Sequence, residues 1–233
     1  MPRIFITATG TDIGKTFVTA GLIRCFRARG LDVAALKPVI SGFDPLQAAA
    51  SDTGRLASAL GRALDMDELD RISLFRFRAP LSPDMAAERE GREIDFRAVL
   101  DSSPAPDANG WLFVEGAGGV MAPLDARHTM LDWMAALGSP VVLVAGSYLG
   151  TISHTLTALS ALRGRAVPVA AIVISQSVES PVPLDETAAA IARFVKPAPV
   201  FSFPRLNDEP ETCSVFGDLA DHLISIVNGL KIS

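Results

Sequence analysis

Two cysteines, three histidines and four lysines in 233 residues leave little room for several kinds of chemistry. Cys25 and Cys213 lie far apart and neither belongs to a C-x-x-C pair. That argues against a disulfide framework or a cysteine zinc site, and two structural thiols suit a reducing cytoplasm. The histidines form no metal-binding cluster, and neither a glycine-elbow serine nor a pair of catalytic carboxylates is present. His154, in "TISHTLTA", falls in the first turn of a helix and reads as a surface or packing residue. No apolar run nears the ~20 residues needed to span a bilayer. The N-terminus enters a strand at once, without a charged leader and cleavage site. A cytoplasmic protein with no membrane contact is expected. The 21 basic residues are dispersed and the formal net charge is −5, so no nucleic-acid partner is expected either.

What the chain has is alternation. Apolar, β-rich runs recur at "RIFIT" (Arg3 to Thr7), "VAALKPV" (Val33 to Val39), "WLFVEGAGG" (Trp111 to Gly119), "PVVLVAG" (Pro140 to Gly146), "VPVAAIVIS" (Val167 to Ser175) and "APVFSFP" (Ala198 to Pro204). Alanine-rich helical segments separate most of them, among them "SDTGRLASALG" and "TISHTLTALSALRG". Strands so continuously apolar need cover on both sides. The expected fold is therefore a single α/β domain with a mainly parallel sheet and helices on both faces. The length suits one such domain, although length alone also permits two. The irregular stretch from Arg76 to Asn109 is expected to be an excursion that covers the crevice at the sheet's edge.

"TATGTDIGKT" follows the first strand and precedes "FVTAGLIRCFRARG", in which Val18, Leu22, Ile23 and Phe26 recur at helical spacing. Strand, glycine-rich turn and helix make a phosphate-binding loop: the first backbone N–H groups of the helix surround a phosphate, a lysine meets the outer phosphates, and a Ser or Thr meets Mg²⁺. Gly10, Gly14, Lys15 and Thr16 supply these parts, although Thr9 stands where the motif's leading glycine belongs. The fold is accordingly of the P-loop NTPase type.

Ligands of parallel sheets bind outside the carboxyl ends of the strands. The polar residues there are Thr11 to Thr16, Lys37 and Ser41, Glu115 with Gly116, Gly118 and Gly119, and Ser147 to His154. Lys37 reads either as a crevice cation or as a solvated lysine capping its strand. Glu115 ends four apolar residues, and an unpaired carboxylate there would be costly, so a metal, a basic partner or water must compensate it. Asp52 reads first as part of a helix N-terminus, with Ser51 or Asp52 itself as the cap.

Taken together these segments resemble the dethiobiotin synthetases. The resemblance runs through "TATGTDIGKT", "KPVISG", "SDTGRL" (Ser51 to Leu56), "LSPDMAA" (Leu81 to Ala87), "VEGAGGVMAPL" (Val114 to Leu124) and "LGTISHT" (Leu149 to Thr155), in order and at similar spacing over almost the whole chain. In that family the loop itself carries threonine at the position of Thr9. The resemblance implies closure of the ureido ring of dethiobiotin from 7,8-diaminopelargonate, CO₂ or bicarbonate, and ATP. An amine captures CO₂ as a carbamate, the γ-phosphoryl passes to a carbamate oxygen, and the second amine closes the ring as phosphate leaves. It also implies Mg²⁺ held by Thr16, Asp52 and Glu115, and catalysis by Lys15, Lys37, Thr11 and Ser41. Nucleotide contacts would come from Asp12, Ile13, Gly14, Lys15, Thr16 and Phe17, from Glu115, Gly116, Gly118 and Gly119, and from Ser175 and Gln176. It implies a homodimer as well, with the substrate's carboxylate tail near Gly150 to His154 of the partner subunit.

The sequence departs from the family pattern at Ala8, usually glycine, at Ser153, where Asn is common, and at Ser175, where many relatives use an Asn to read adenine. Gln176 takes over that role only if the backbone turns its side chain inward, and the other candidate is a backbone group near "FPRLN" (Phe203 to Asn207). Two other readings of the loop are an amide-forming enzyme of the same class and a MinD-like NTPase switch. The first generally brings a glutamine-amidotransferase domain, for which this chain has neither the length nor a Cys/His arrangement. The second usually has another lysine early in the loop, where Thr11, Asp12 and Ile13 stand here, and a basic amphipathic C-terminal helix, which is also missing.

Overall fold

A strand that is apolar at every position has to be buried between two layers, and β1 (Arg3–Ala8) shows how. Ile4, Ile6 and Ala8 enter one core and Phe5 the other. The same division of alternate residues holds in β5 (Trp111–Glu115), β6 (Val141–Ala145) and β7 (Val169–Ser175). With β2 (Val33–Leu36) and β8 (Val200–Phe203) they form a six-stranded sheet in the order β2-β5-β1-β6-β7-β8, parallel throughout. The computed structural model describes residues 2–103, 110–206 and 215–230; Cys213 and Asn207 lie outside them. Among the described residues no helix is long and apolar enough to cross a membrane.

Helices cover both faces. On one side lie α1 (Lys15–Ala28), α2 (Asp52–Ala59) and α9 (Gly217–Leu230), which contribute Leu22, Phe26, Leu56, Leu219 and Leu223 to the first core. On the other are α6 (Met130–Leu137), α7 (Thr151–Gly164) and α8 (Leu184–Ala192), with Trp133, Leu159 and Ile191. Burial of each such side chain contributes about 1.5–3 kcal/mol relative to exposure.

Two expectations change here. The run from Val33 to Val39 is not one strand. Pro38 has no N–H to give a ladder, and the N–H of Lys37 turns away to the carbonyl of Ile72, 2.9 Å distant. The main-sheet strand therefore stops at Leu36. Val39 and Ile40 form β3 (Val39–Ile40), which pairs in parallel with β4 (Phe75–Arg76) in a separate two-stranded sheet. Between them lie a 3₁₀ segment (Pro45–Ala50), α2 and α3 (Met66–Ile72).

The excursion from Arg76 to Asn109, in its described part, does not cover the crevice. It carries α4 (Pro83–Arg89) and α5 (Phe96–Asp101), whose Ala86, Ala87 and Val99, with Ile94 between them, pack into the second core beside Phe5 and Val114. These apolar residues draw the segment onto the sheet face. Residues 104–109 lie outside the description.

The start of α2 is fixed by close packing. Ser51 caps it, its Oγ accepting from the Gly54 N–H at 3.2 Å, so the Asp52 side chain is released from capping. Gly54 lies directly on the 3₁₀ segment, and an added Cβ would stand 2.4 Å from the carbonyl oxygens of Ala48 and Ala49. Only glycine fits at that approach.

Candidate active site

The loop after β1 needs backbone that L-residues rarely adopt. Gly14, which precedes α1, has φ 104° and Asp12 has φ 56°. Ala8 stays within β1 and is not among the residues of positive φ. Lys15 folds back over the loop, with Nζ donating to the carbonyl of Gly10 at 2.9 Å and to that of Gly118 at 2.7 Å. Burial, and next the charge of Lys37, bring its pKa down to about 8. The carboxylates of Glu115, Asp52 and Asp12 oppose this lowering, and a phosphate in the loop would add to them.

Beside the loop, four side chains from four segments meet. Lys37 follows β2, Glu115 ends β5, Thr16 lies in the first turn of α1, and Asp52 opens α2. The Lys37 ammonium donates to Glu115 Oε1 at 2.6 Å and reaches Asp52 Oδ2 at 2.9 Å. The Thr16 hydroxyl donates to the same Glu115 Oε1 at 2.7 Å. Lys37 is 3% exposed and Glu115 is fully buried. Burial alone would push Lys37 towards neutrality, but the two carboxylates outweigh it and hold its pKa above the usual lysine value. Burial likewise opposes the charge on Asp52, yet the attraction and hydrogen bond of Lys37 keep its pKa below the ordinary range.

One atom is left over. Glu115 Oε2 is buried with no hydrogen-bond partner, an arrangement that ordinarily costs about 1–3 kcal/mol or more for a charged group. Among the described residues no three His, Cys, Asp or Glu side chains gather as a metal cluster. Mg²⁺ does not need one: it is usually bound by one or two carboxylates, with water and substrate phosphates completing six ligands. Thr16, Glu115 and Asp52 offer that donor set, and the orphaned Oε2 is where a cation could take up the spare lone pairs.

The loop opens on a cavity of about 640 Å³, within the size range of small-molecule sites. All six residues from Asp12 to Phe17 line it, as does Thr11. Lys37, Ser41 and Asp52 line one side, Gly118 the floor beside Lys15, and Ser175 and Gln176 the other side. Glu115 sits behind this lining and reaches it through Lys37 and Thr16. Gly116 and Gly119 stand beside the cavity rather than in its lining. A Cβ on Gly116 would come 3.0 Å from the Phe5 ring, and one on Gly119 would come 3.1 Å from the Thr9 carbonyl oxygen. Their bareness lets the segment after β5 pass close to the loop.

Arg55 and Arg205 also line the cavity: Arg55 is not among the residues the sequence points to, whereas Arg205 lies in the stretch from Phe203 to Asn207 expected near the base. Arg55 lies one helical turn beyond Asp52, and the i, i+3 spacing that puts both on one face was the available signal. Arg205 follows β8, where the rule about strand ends also applies.

A second hollow of about 710 Å³ lies at the start of α7, lined by Leu149, Gly150, Ile152, Ser153, Pro181 and Val182 among others. Leu149 is 87% exposed. His154 is exposed and pairs with the Tyr148 hydroxyl at 2.9 Å.

Residues 2–209 match the model of a family described as an AAA domain. An ATP-dependent dethiobiotin synthetase BioD of Caulobacter sp. (strain K31) is 53% identical over 230 residues, which is 97% of this chain and 96% of the relative. A protein of the same name from Acidiphilium cryptum (strain JF-5) is 49% identical over 216 residues, 91% and 95% of the two chains. Among solved structures, a ParA family ATPase from Chlorobium tepidum TLS superposes with a TM-score of 0.51 at 17% identity, covering 95% of this chain and 98% of that one. That likeness shows the fold.

Proposed function

The chain belongs to the family of ATP-dependent dethiobiotin synthetases, and from that premise we propose how its own residues divide the reaction. The enzyme is a ligase of biotin biosynthesis that consumes ATP to form dethiobiotin. An amide-forming relative and an NTPase switch are not favoured. The observation that carries the division of roles is the meeting of Lys37, Glu115, Asp52 and Thr16 beside the loop that holds Lys15.

The substrates in this reading are 7,8-diaminopelargonate and CO₂. One amine adds to CO₂ and loses a proton, leaving a carbamate. A carbamate oxygen takes the γ-phosphoryl group of ATP and ADP departs. The second amine then attacks the carbamate carbon, the C–O bond to phosphate breaks, and inorganic phosphate and a proton leave with the ring closed. Phosphoryl transfer of this kind depends on positioning and on charge stabilisation. The loop amides and Lys15 hold the outer phosphates. Lys37 faces the carbamate and the transferred phosphoryl, with Thr11 and Ser41 orienting the diamine and Asp12 nearby. Mg²⁺ held by Thr16, Asp52 and Glu115 would supply further positive charge on the outer phosphates.

Labelled oxygen tests this order of bonds. With ¹⁸O-labelled CO₂ and rapid quenching, one labelled oxygen is expected in the released phosphate and one in the ureido carbonyl. Phosphate without label would reject carbamate phosphorylation.

The same reading places the enzyme in the cytoplasm as a homodimer. At the N-terminus of α7, Gly150 to His154, the amides of Thr151 and His154 donate to the carbonyls of Tyr148 and Gly150, and those of Ile152 and Ser153 between them would receive the diamine's carboxylate tail from the partner subunit's cavity. Ser153 can donate one hydrogen bond to it. Activity per chain is then expected to fall on dilution to nanomolar concentration, in step with dissociation seen by light scattering or mass photometry. A fully active monomer would exclude shared sites.

A further inference from the structure

The strand order says which end of the cavity receives the base. Lys37 follows β2 and Glu115 ends β5, on one side of β1; Ser175 ends β7, Gln176 to Val178 follow it and Pro204 to Leu206 follow β8, on the other. A triphosphate seated in the loop after β1, with its outer phosphate towards Lys37, therefore directs its sugar and base towards the ends of β7 and β8.

The polar side chains at that end can be counted. Ser175 is turned against the loop: its Oγ lies 2.8 Å from where a Cβ on Gly14 would stand, so it lies beside the phosphates. Ser177 is engaged with Ser147, each hydroxyl accepting from the other's backbone N–H at 3.0 and 2.9 Å. Gln176 lines the cavity, and its Oε1 accepts from the Arg205 N–H at 3.0 Å. A backbone N–H can pair only with the carbonyl end of an amide, so this bond fixes the flip and turns the Gln176 NH₂ group elsewhere. Arg205 adds a guanidinium, which only donates. The remaining lining side chains here, Val178, Pro204 and Leu206, are apolar.

We infer that the base end is a donor-rich site that does not require adenine, and that GTP, CTP and UTP serve within about tenfold of ATP in kcat/KM. The Gln176 NH₂ and the Arg205 guanidinium match the acceptors of a base edge: guanine O6, uracil O4, cytosine O2 and N3, and adenine N1. The exocyclic amines of adenine and cytosine need an acceptor, and those on offer, Gln176 Oε1 and the Ser177 hydroxyl oxygen, each already accept one hydrogen bond and do not single out adenine. The triphosphate, which is common to all four, carries most of the affinity. This inference rests on the ATP-dependent reaction proposed above.

Two measurements test it. The first is kcat/KM for ATP, GTP, CTP and UTP with the diamine, bicarbonate and Mg²⁺, in the natural protein and in Gln176→Glu, which exchanges the NH₂ donor for an acceptor of the same shape. Ratios within about tenfold are expected in the natural protein. In Gln176→Glu the use of GTP and UTP relative to ATP should fall by about tenfold or more. The second is calorimetric affinity for ADP, GDP, CDP and UDP, which reads base preference even if no dethiobiotin forms. A preference above a hundredfold for the adenine nucleotide in either measurement overturns the inference, as do ratios unaffected by Gln176→Glu. Failure of turnover with every nucleotide, with the four diphosphates bound alike, would count against the proposed reaction and support the base site.

Discussion

Lys37→Ala is expected to lower turnover by about two orders of magnitude or more while leaving nucleotide affinity nearly intact. Lys15→Ala should lower turnover as much and weaken nucleotide binding as well. Loss of one donor aimed at developing charge typically costs ~3–4 kcal/mol of transition-state stabilisation. The two lysines differ in what they hold. Lys15 lies over the phosphate loop on the carbonyls of Gly10 and Gly118, whereas Lys37 stands beside that loop between two carboxylates. Lys37→Ala also strips the fully buried Glu115 of its counter-charge, and breaking such a pair costs about 3–5 kcal/mol of stability. Lys37→Gln, which keeps a neutral donor, separates lost chemistry from lost folding, and thermal melting with and without Mg²⁺ reports on each variant. With its ammonium gone, the carboxylate pair should bind Mg²⁺ at least as tightly as in the natural protein. Equal nucleotide affinity in Lys15→Ala and Lys37→Ala would reject the division of roles.

Glu115→Gln should be nearly as damaging to turnover, by about two orders of magnitude or more, and should weaken Mg²⁺ binding in the presence of ADP. The carboxylate's Oε1 orders Lys37 and Thr16 together, and its Oε2 is the orphaned atom available to a cation. The amide oxygen can still accept from both neighbours, but it brings no charge to hold the ammonium or the metal. Lys37 then keeps only the half-exposed Asp52. Chelation of divalent metal should likewise abolish turnover in the natural protein and restore it on adding Mg²⁺. Full activity in excess chelator, or unchanged Mg²⁺ binding in Glu115→Gln, would remove the metal from the account.

Those parts of the fold that depend on neighbours in sequence were legible. The run from Ile4 to Ile6 and the helical spacing of Val18, Leu22 and Phe26 carry their own periodicity, and the glycine at position 14 announces a backbone that other residues resist. Lys37 shows where local reading stops. Its strand looked continuous to Val39, but the next residue is proline, and the backbone N–H of Lys37 is taken by Ile72 in another segment. The excursion after Arg76 was misread for a related reason: composition reveals irregularity, while the surface that Ala86 and Val99 cover is set by tertiary packing. The ion pair of Lys37 with Glu115 joins residues 78 apart, so strand-end logic placed both in one neighbourhood but could not pair them. Asp52 needed the structure most. Ser51 performs the capping that the sequence left between the two, which leaves the Asp52 carboxylate to Lys37. Resemblance to the family supplied the roles of these residues; their distances came from the fold.

The most direct test is phosphate release from ATP and Mg²⁺ by the purified protein, with dethiobiotin measured in the same samples by mass spectrometry. Together with 7,8-diaminopelargonate and bicarbonate, one phosphate is expected for each dethiobiotin formed, and omission of either substrate should stop both. Phosphate release that continues undiminished without the diamine, and no dethiobiotin when all components are present, would contradict the account.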